Sequence, residues 1–483
     1  MSDISINDSI LRIIVQSIQP DIFSPYKILS DAEAMGTGFF INDKGHAITC
    51  AHVVEGSIKI WINIPSLGHT KYFAYIKSIC FQKDIALLQV TSVTSDDYVY
   101  DNSKTNYVKM PPFKNKLFCQ LADKNKPPSR ILGVEVITMG YPLAQPGIKL
   151  TKGVISGVQE RYIQIDAPIN PGNSGGPLFL NNVVIGINTA KIIFAENIGY
   201  ATPIEDYYAV ESEMIDESRI EKIVEEPNLY FDIQHTNKKH YKMFGYDGSA
   251  GVLVNNLIKN SPISKTGLSE NDILISFAGY ELDGAGEASV PWSASRIHLY
   301  NIVSRLKLNQ DIKVVYWSSR NKKIISASYL FNNDDTENIY KINFVRYPFE
   351  EFKYIIYSGL VIMELKMNHF EMMTQSNIKQ EQKYYLLRYR QKKKRCNGII
   401  FISNVLQGSS LIDEVIPGLV IKKVNGLCVE TLDDVKLNIS KLPNMTHLLL
   451  QNMNHIIIDK KFARQEDIEL SKKYKFTLPE NLY

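Results

Sequence analysis

Cysteine is scarce in this chain of 483 residues: there are five, Cys50, Cys80, Cys119, Cys396 and Cys428, an odd number scattered over the length. That argues against a disulfide framework and makes a reducing interior compartment the expectation. An excess of one charge is missing too. The 54 basic and 51 acidic side chains leave a net charge of +3, no electrostatic footprint for nucleic acid. No apolar run approaches the roughly twenty residues needed to span a bilayer, so no membrane partner is expected. The start, Met1-Ser2-Asp3-Ile4-Ser5-Ile6-Asn7-Asp8, is acidic and lacks the layout of a signal peptide. An intracellular location, cytoplasmic or nuclear, is the resulting expectation. Neither a His-x-x-x-His nor a Cys-x-x-Cys spacing occurs, which counts against a metal-dependent hydrolase. No metal and no cofactor are expected.

What is present is concentrated in one turn. Asn170-Pro171-Gly172-Asn173-Ser174-Gly175-Gly176-Pro177 follows the alternating strand pattern Tyr162-Ile163-Gln164-Ile165 and precedes Leu178-Phe179-Leu180 and Val183-Val184-Ile185, a hairpin pattern. Glycine, asparagine, serine and proline are ordinary turn formers, so taken alone this could be a plain surface turn. The glycines allow more. Without a Cβ, Gly172 can take positive φ and turn its N–H beside that of Ser174, so that two donors converge on one oxygen. Gly175 and Gly176 leave room for substrate backbone. Gly172, Asn173 and Ser174 are the expected oxyanion residues, and Ser174 the expected nucleophile.

A serine hydroxyl is a weak nucleophile at neutral pH and needs a histidine base and a carboxylate to orient it. Gly36-Thr37-Gly38-Phe39-Phe40-Ile41 and His46-Ala47-Ile48-Thr49 read as strands joined by Asn42-Asp43-Lys44-Gly45, and Cys50-Ala51-His52-Val53-Val54 follows. A short helical turn there would hold the His52 ring. Asp84 opens the apolar strand Ile85-Ala86-Leu87-Leu88-Gln89-Val90. Singly, His52 reads equally well as a core histidine and Asp84 as a solvated cap; with the serine turn they read as a triad. Pro168 and Ile169, ahead of the nucleophile, and Asn188 and Thr189 beyond it are expected to line an uncharged pocket favouring small or medium aliphatic side chains. Asp166 lies too early in its strand to reach the pocket floor.

Thr49-Cys50-Ala51-His52, Asp84-Ile85-Ala86-Leu87-Leu88 and the serine turn, in the order His, Asp, Ser, resemble the trypsin-like HtrA/Deg family of serine proteases. The likeness continues through Met139-Gly140-Tyr141-Pro142, Gly153-Val154-Ile155-Ser156-Gly157, Gly186-Ile187-Asn188-Thr189 and Gly199-Tyr200-Ala201-Thr202-Pro203. The resemblance implies a mainly β fold: a trypsin-like double antiparallel β-barrel, with His52 and Asp84 on the first barrel and Ser174 on the second. It also implies ATP-independent hydrolysis of unfolded or exposed polypeptides. Asn173 stands where digestive relatives carry an aspartate that pairs with a newly cut N-terminus, so control by loop ordering and assembly is expected instead.

The protease reading covers 1–212, with an acidic linker over 213–228. Residues 229–345, through Gly251-Val252-Leu253-Val254 and Asn271-Asp272-Ile273-Leu274, resemble a PDZ domain of HtrA type. A weaker copy over 396–483 runs through Gly398-Ile399-Ile400-Phe401-Ile402 and Gly418-Leu419-Val420-Ile421, with 346–395 read as a connection. Two PDZ-like α+β domains after a protease are similar to the two-PDZ Deg proteases of plants. PDZ domains add an extended peptide to a sheet edge and capture its terminal carboxylate on backbone N–H groups. Tyr230-Phe231-Asp232-Ile233 is the expected capture loop, but Asp232 stands where the family carries glycine and would repel a carboxylate. Internal or non-acidic segments, or docking within a homo-oligomer that is trimer-based or other, are the alternatives. Residues 91–130, with Asp96-Asp97 and Pro111-Pro112, read as an inserted surface loop. Lys392-Lys393-Lys394-Arg395 reads either as a solvated loop or as a nuclear signal. The competing functional class is a catalytically silent peptide-binding scaffold or holdase on the same fold.

Overall fold

The computed structural model describes residues 6–483 apart from 65–66, 96–117, 125–131, 146, 160–161, 192–197, 217–221, 227, 294, 332–338, 443, 479–481 and 483. The inserted loop expected around Asp96-Asp97 and Pro111-Pro112 therefore lies outside the described residues. The chain forms two compact units, one of residues 1–17 and 32–334, the other of 18–31 and 335–483.

In the first unit, strands β1 (Ile10–Pro20), β2 (Ile28–Phe40), β3 (His46–Thr49), β4 (Ser57–Asn63), β5 (Lys71–Cys80) and β6 (Ile85–Thr94) pair in the order β5-β4-β1-β2-β3-β6, and β5 pairs β6 to close the ring. Every second side chain at the start of β5 is buried, the period of a sheet with one face inward. Ile13, Ile60, Ile62, Leu87, Leu88 and Val90 are buried on these strands. Helix α1 (Ala51–Val54) follows β3 directly. A second closed barrel is made by β7 (Glu135–Gly140), β8 (Lys149–Gln159), β9 (Tyr162–Ile165), β10 (Pro177–Leu180), β11 (Val183–Lys191) and β12 (Gly199–Pro203), in the order β10-β11-β12-β9-β8-β7. The expected pair of six-stranded barrels is present. Helix α2 (Ile204–Ile215) then leads to β13 (Lys222–Ile223), which lies parallel to β5.

The PDZ-like part of this unit comprises β14 (Asp232–Gln234), α3 (Lys238–Phe244), β15 (Val252–Asn255), β16 (Ile273–Phe277), β17 (Tyr280–Glu281), β18 (Glu287–Ala288), β19 (Ile297–His298), α4 (Leu299–Val303), β20 (Gln310–Ser318) and β21 (Lys323–Phe331). Its sheet runs β14-β15-β16-β20-β21, with β17 on β16, so β14 is an edge strand.

The second unit is built on β22 (Tyr354–Tyr357), β23 (Leu360–Glu364), α5 (Met367–Glu371), α6 (Gln380–Leu387), β24 (Ile400–Val405), β25 (Val420–Val424), β26 (Leu427–Cys428), α7 (Leu432–Ser440), β27 (Met445–Leu450), β28 (His455–Asp459) and α8 (Lys460–Tyr474). The sheet runs β22-β23-β24-β25-β27-β28, with β26 on β25. The segment 346–395, read from the sequence as a connection, supplies two of its strands, because Ile355, Ile356, Tyr357 and Leu360 are buried in this core rather than left outside it. Residues 18–31 belong here too: Phe23 and Tyr26 pack on the cluster holding Phe370 and Phe401, and Ser403 Oγ donates to the Phe23 carbonyl at 2.7 Å. His369, fully enclosed, meets the Ile22 carbonyl through Nε2 at 3.0 Å, and burial pushes its pKa down to about 4. The basic cluster is folded rather than a free tail. Lys392–Cys396 form 3-10 turns, and the Arg395 guanidinium lies 4.3 Å from the centre of the Tyr340 ring while its Nε donates to Ile342 O.

Candidate active site

Helix α1 is a single turn whose Ala51, Val53 and Val54 are buried, which turns the His52 side chain outward, 47% exposed. Asp84 sits ahead of β6 in the left-handed region, φ 54, a conformation that aspartate tolerates better than most residues. Its carboxylate accepts from His52 Nδ1, at 2.8 Å to Oδ2 and 3.0 Å to Oδ1, and from the His52 backbone N–H at 3.0 Å. Thr189 Oγ1 donates to Oδ2 as well. With Nδ1 bound to a carboxylate, the ring's other nitrogen is left as the proton acceptor. Burial by itself would lower the His52 pKa; the hydrogen bond and charge of Asp84, helped by Glu55, outweigh it and hold the ring above its ordinary value. For Asp84 burial pushes the other way, upward, and is outweighed by His52 and Thr189, so the carboxyl is held below its ordinary range.

The serine turn is clamped from the first barrel. Thr37 on β2 donates its hydroxyl to Gly172 O at 2.6 Å and its N–H to Ser174 O at 2.9 Å. Gly172 takes φ 98, and a Cβ there would lie 2.3 Å from the Tyr141 carbonyl oxygen. Only glycine fits. Among the described residues neither the Gly172 nor the Ser174 N–H has an acceptor, which leaves both available to an incoming oxygen. Asn173, expected as a third oxyanion residue, spends its N–H on the Asn170 carbonyl at 2.9 Å, closing the turn. The Ser174 hydroxyl donates to the Thr189 carbonyl at 3.2 Å rather than to His52. Thr189 thus touches both ends of the constellation, Asp84 through its hydroxyl and Ser174 through its carbonyl.

Asn188 and Thr189, expected to line a pocket, both contact the serine turn. Asn188 is fully buried: its N–H donates to Gly176 O at 2.8 Å, and its carbonyl accepts from the Gly175 N–H at 2.8 Å and from Cys50 Sγ at 3.2 Å. It braces the turn. Thr189 stands behind Asp84, for the same reason that it can reach that carboxylate. Ile169 is 4% exposed, packed where a Cβ on Gly199 would meet it, and Pro168 is exposed. Asp166 is exposed and accepts the Val154 N–H at 2.6 Å. In the PDZ-like part, Tyr230 and Phe231 are buried, Tyr230 with φ 58, while Asp232 and Ile233 open β14 and Asp232 accepts from Asn256 Nδ2 at 3.0 Å. The sequence reading missed Thr37 and the bracing role of Cys50. The only signal for Thr37 was its place between Gly36 and Gly38.

Cys50 Sγ, a ring nitrogen of His52 and a carboxylate oxygen of Asp84 lie within 4.8 Å of one another, a donor set of metal-ligand type. The thiol is buried and tied to Asn188 O, and burial, with the Asp84 charge second, pushes its pKa well up. A thiol held protonated is a poor ligand. All five cysteines are free thiols.

Two closed barrels, with an aspartate-bound histidine on one and a glycine-rich serine turn on the other, define a trypsin-like peptidase domain, here followed by a PDZ domain. Residues 36–187 match the trypsin-like peptidase domain family and 347–480 the PDZ domain family. The curated relatives that the chain matches are Do-like and DegP-like proteases. The chain is 28% identical over 320 residues to the mitochondrial Do-like 3 protease of Arabidopsis thaliana, covering 63% of this chain and 51% of that protein. It is 25% identical over 391 residues to the Do-like 13 protease of the same plant, covering 76% of this chain and 70% of that protein. To a periplasmic DegP-like serine endoprotease of Marinomonas it is 27% identical over 309 residues, 61% of this chain and 56% of that protein. The chain therefore spans little more than half the length of two of these relatives. The expected cytoplasmic or nuclear location is overturned, because these relatives carry mitochondrial and periplasmic names. Sparse cysteine reports the lack of a disulfide framework and not the compartment. Among the described residues no helix is long and apolar enough to cross a membrane.

Proposed function

We propose that the protein is an ATP-independent serine endopeptidase acting on unfolded or exposed polypeptides through an acyl-enzyme. Ser174 attacks the scissile carbonyl. His52 takes its proton and returns it to the leaving amine, while Asp84 holds the tautomer and stabilises the imidazolium. The Gly172 and Ser174 N–H groups receive the oxyanion. The single observation that carries this reading is the Asp84 carboxylate on His52 Nδ1 at 2.8 Å, which leaves Nε2 as the ring's proton acceptor. Attack requires the Ser174 hydroxyl to exchange Thr189 O for His52 as its acceptor, a tightening that substrate binding commonly completes. Asp232 and the β14 edge recruit internal or non-acidic segments, and a homo-oligomer regulates access.

A silent scaffold is the second reading, favoured by the Ser174 hydrogen bond to Thr189 O. Fluorophosphonate labelling with casein digestion separates the two. Covalent, Ser174-dependent modification and casein cleavage by wild type, both absent in Ser174→Ala, support the peptidase; native protein that neither labels nor cleaves is a scaffold.

A further inference from the structure

The two PDZ-type sheets share one plan. In the first, β14, β15, β16 and β20 follow in order, with β17 on β16 and β21 at the far edge; in the second, β23, β24, β25 and β27 follow in order, with β26 on β25 and β28 at the far edge. Matched in this way, β14 corresponds to β23. The second sheet has seven strands against six, and the additional one is β22. It pairs antiparallel with β23, Tyr354 opposite Met363 through Tyr357 opposite Leu360, along the side that β14 leaves open.

Between β22 and β23 stand Ser358 and Gly359, at φ 50 and φ 70. Two consecutive left-handed residues form the tight turn that suits the twist of a hairpin. Their N–H groups point away from the ladder and make a concave pair of donors of the kind that binds anions. The Ser358 N–H donates to Asp467 Oδ2 at 2.7 Å and the Gly359 N–H to Oδ1 at 2.8 Å. Asp467 is fully buried, between Ala463 and Leu470 on the inward stripe of α8, where an aspartate would otherwise be costly. Its neighbour Glu466 accepts from Ser358 Oγ at 2.8 Å and from the Ser410 N–H at 2.6 Å.

A PDZ domain offers an incoming peptide a strand edge and backbone N–H groups for its terminal carboxylate. Both are filled here from within the chain. We infer that the C-terminal PDZ domain is self-liganded: β22 supplies the strand and the Asp467 side chain the carboxylate, so this domain does not receive polypeptide C-termini. The inference is independent of the chemistry proposed at Ser174.

The test uses the full chain. A photoreactive decapeptide with a free carboxylate and an apolar last residue leaves segments 354–364 and 432–440 of wild type unlabelled; saturable labelling of either segment overturns the inference. Asp467→Ala removes the internal carboxylate but keeps both N–H groups. It lowers the unfolding temperature by several degrees, and acetate recovers part of that loss relative to chloride at equal ionic strength, while wild type responds alike to both salts. Where Asp467→Ala does not fold, Asp467→Asn is read by amide exchange over the 358–359 turn, about tenfold faster than wild type, as one lost charge-assisted bond implies; exchange no faster than in wild type sinks the proposal. An Asp467→Ala variant indifferent to acetate, or a wild type that gains as much from it as that variant does, sinks it as well.

Discussion

Asp84 and Asp467 are both aspartates removed from bulk water and bound by two or more donors, yet their surroundings differ in kind. Asp84 faces a ring that is 47% exposed and able to change its charge. Asp467 is fully buried on two backbone N–H groups, which never change theirs. A carboxylate used in chemistry needs a partner that can be protonated during a cycle, and that partner must reach solvent and substrate. A carboxylate used in architecture needs permanent donors and complete burial. The two residue types are identical; the partners decide which is which.

The sharpest way to break this comparison is at the nucleophile. Ser174→Ala should lower kcat on casein by about a millionfold while leaving the unfolding temperature unchanged, measured by proteolysis beside calorimetry. Asp84→Asn should cost about ten thousandfold in kcat, because an amide does not fix the same tautomer, again with the fold intact. Asp467→Ala should do the reverse. Leaving two buried N–H donors without an acceptor should cost about 1–3 kcal/mol for each in chemical denaturation, with fluorophosphonate labelling of Ser174 retained. Should Asp84→Asn unfold the protein, or Asp467→Ala silence Ser174, the division between working and structural carboxylates fails.

Smaller effects sharpen it. Thr189→Val removes one hydrogen bond to Asp84 and should reduce kcat about tenfold with KM little changed, as loss of a positioning group does. In the pH profile of kcat/KM, His52 must be neutral to accept the serine proton, and Asp84 raises its pKa. Activity is therefore lost as pH falls through a value above that of an ordinary imidazole. In Asp84→Asn the residual activity should show that acid limb moved to lower pH; an unmoved limb would mean that Asp84 does not act through the ring.

The serine turn, His52 and Asp84 could be read from the chain because each announces itself locally. Glycines on both sides of Ser174, a histidine just past an apolar strand and an acid at the start of another are features of a few adjacent residues. The barrels were readable for the same reason, since strand alternation has period 2. The partners of Thr189 and Asn188 were not legible because alternation says which residues turn inward, not what they meet there. The strands β22 and β23 were taken for a connection because Tyr354-Ile355-Ile356-Tyr357 carries no pattern that names its neighbour. Asp467 drew no reading from the sequence, because its partners lie in a turn more than a hundred residues earlier in the chain.

By itself the sequence determined the chemistry on offer: a hydroxyl in a turn open enough for attack, an imidazole, a carboxylate, and strands enough to close two barrels. Tertiary structure alone decided which acceptor each donor meets, placing Thr189 between Asp84 and Ser174 and filling the second PDZ groove with the chain's own strand and side chain. The physical reason is that hydrogen bonds act over about 3 Å, so a partner's identity depends on packing across the fold and cannot be read from the order of residues.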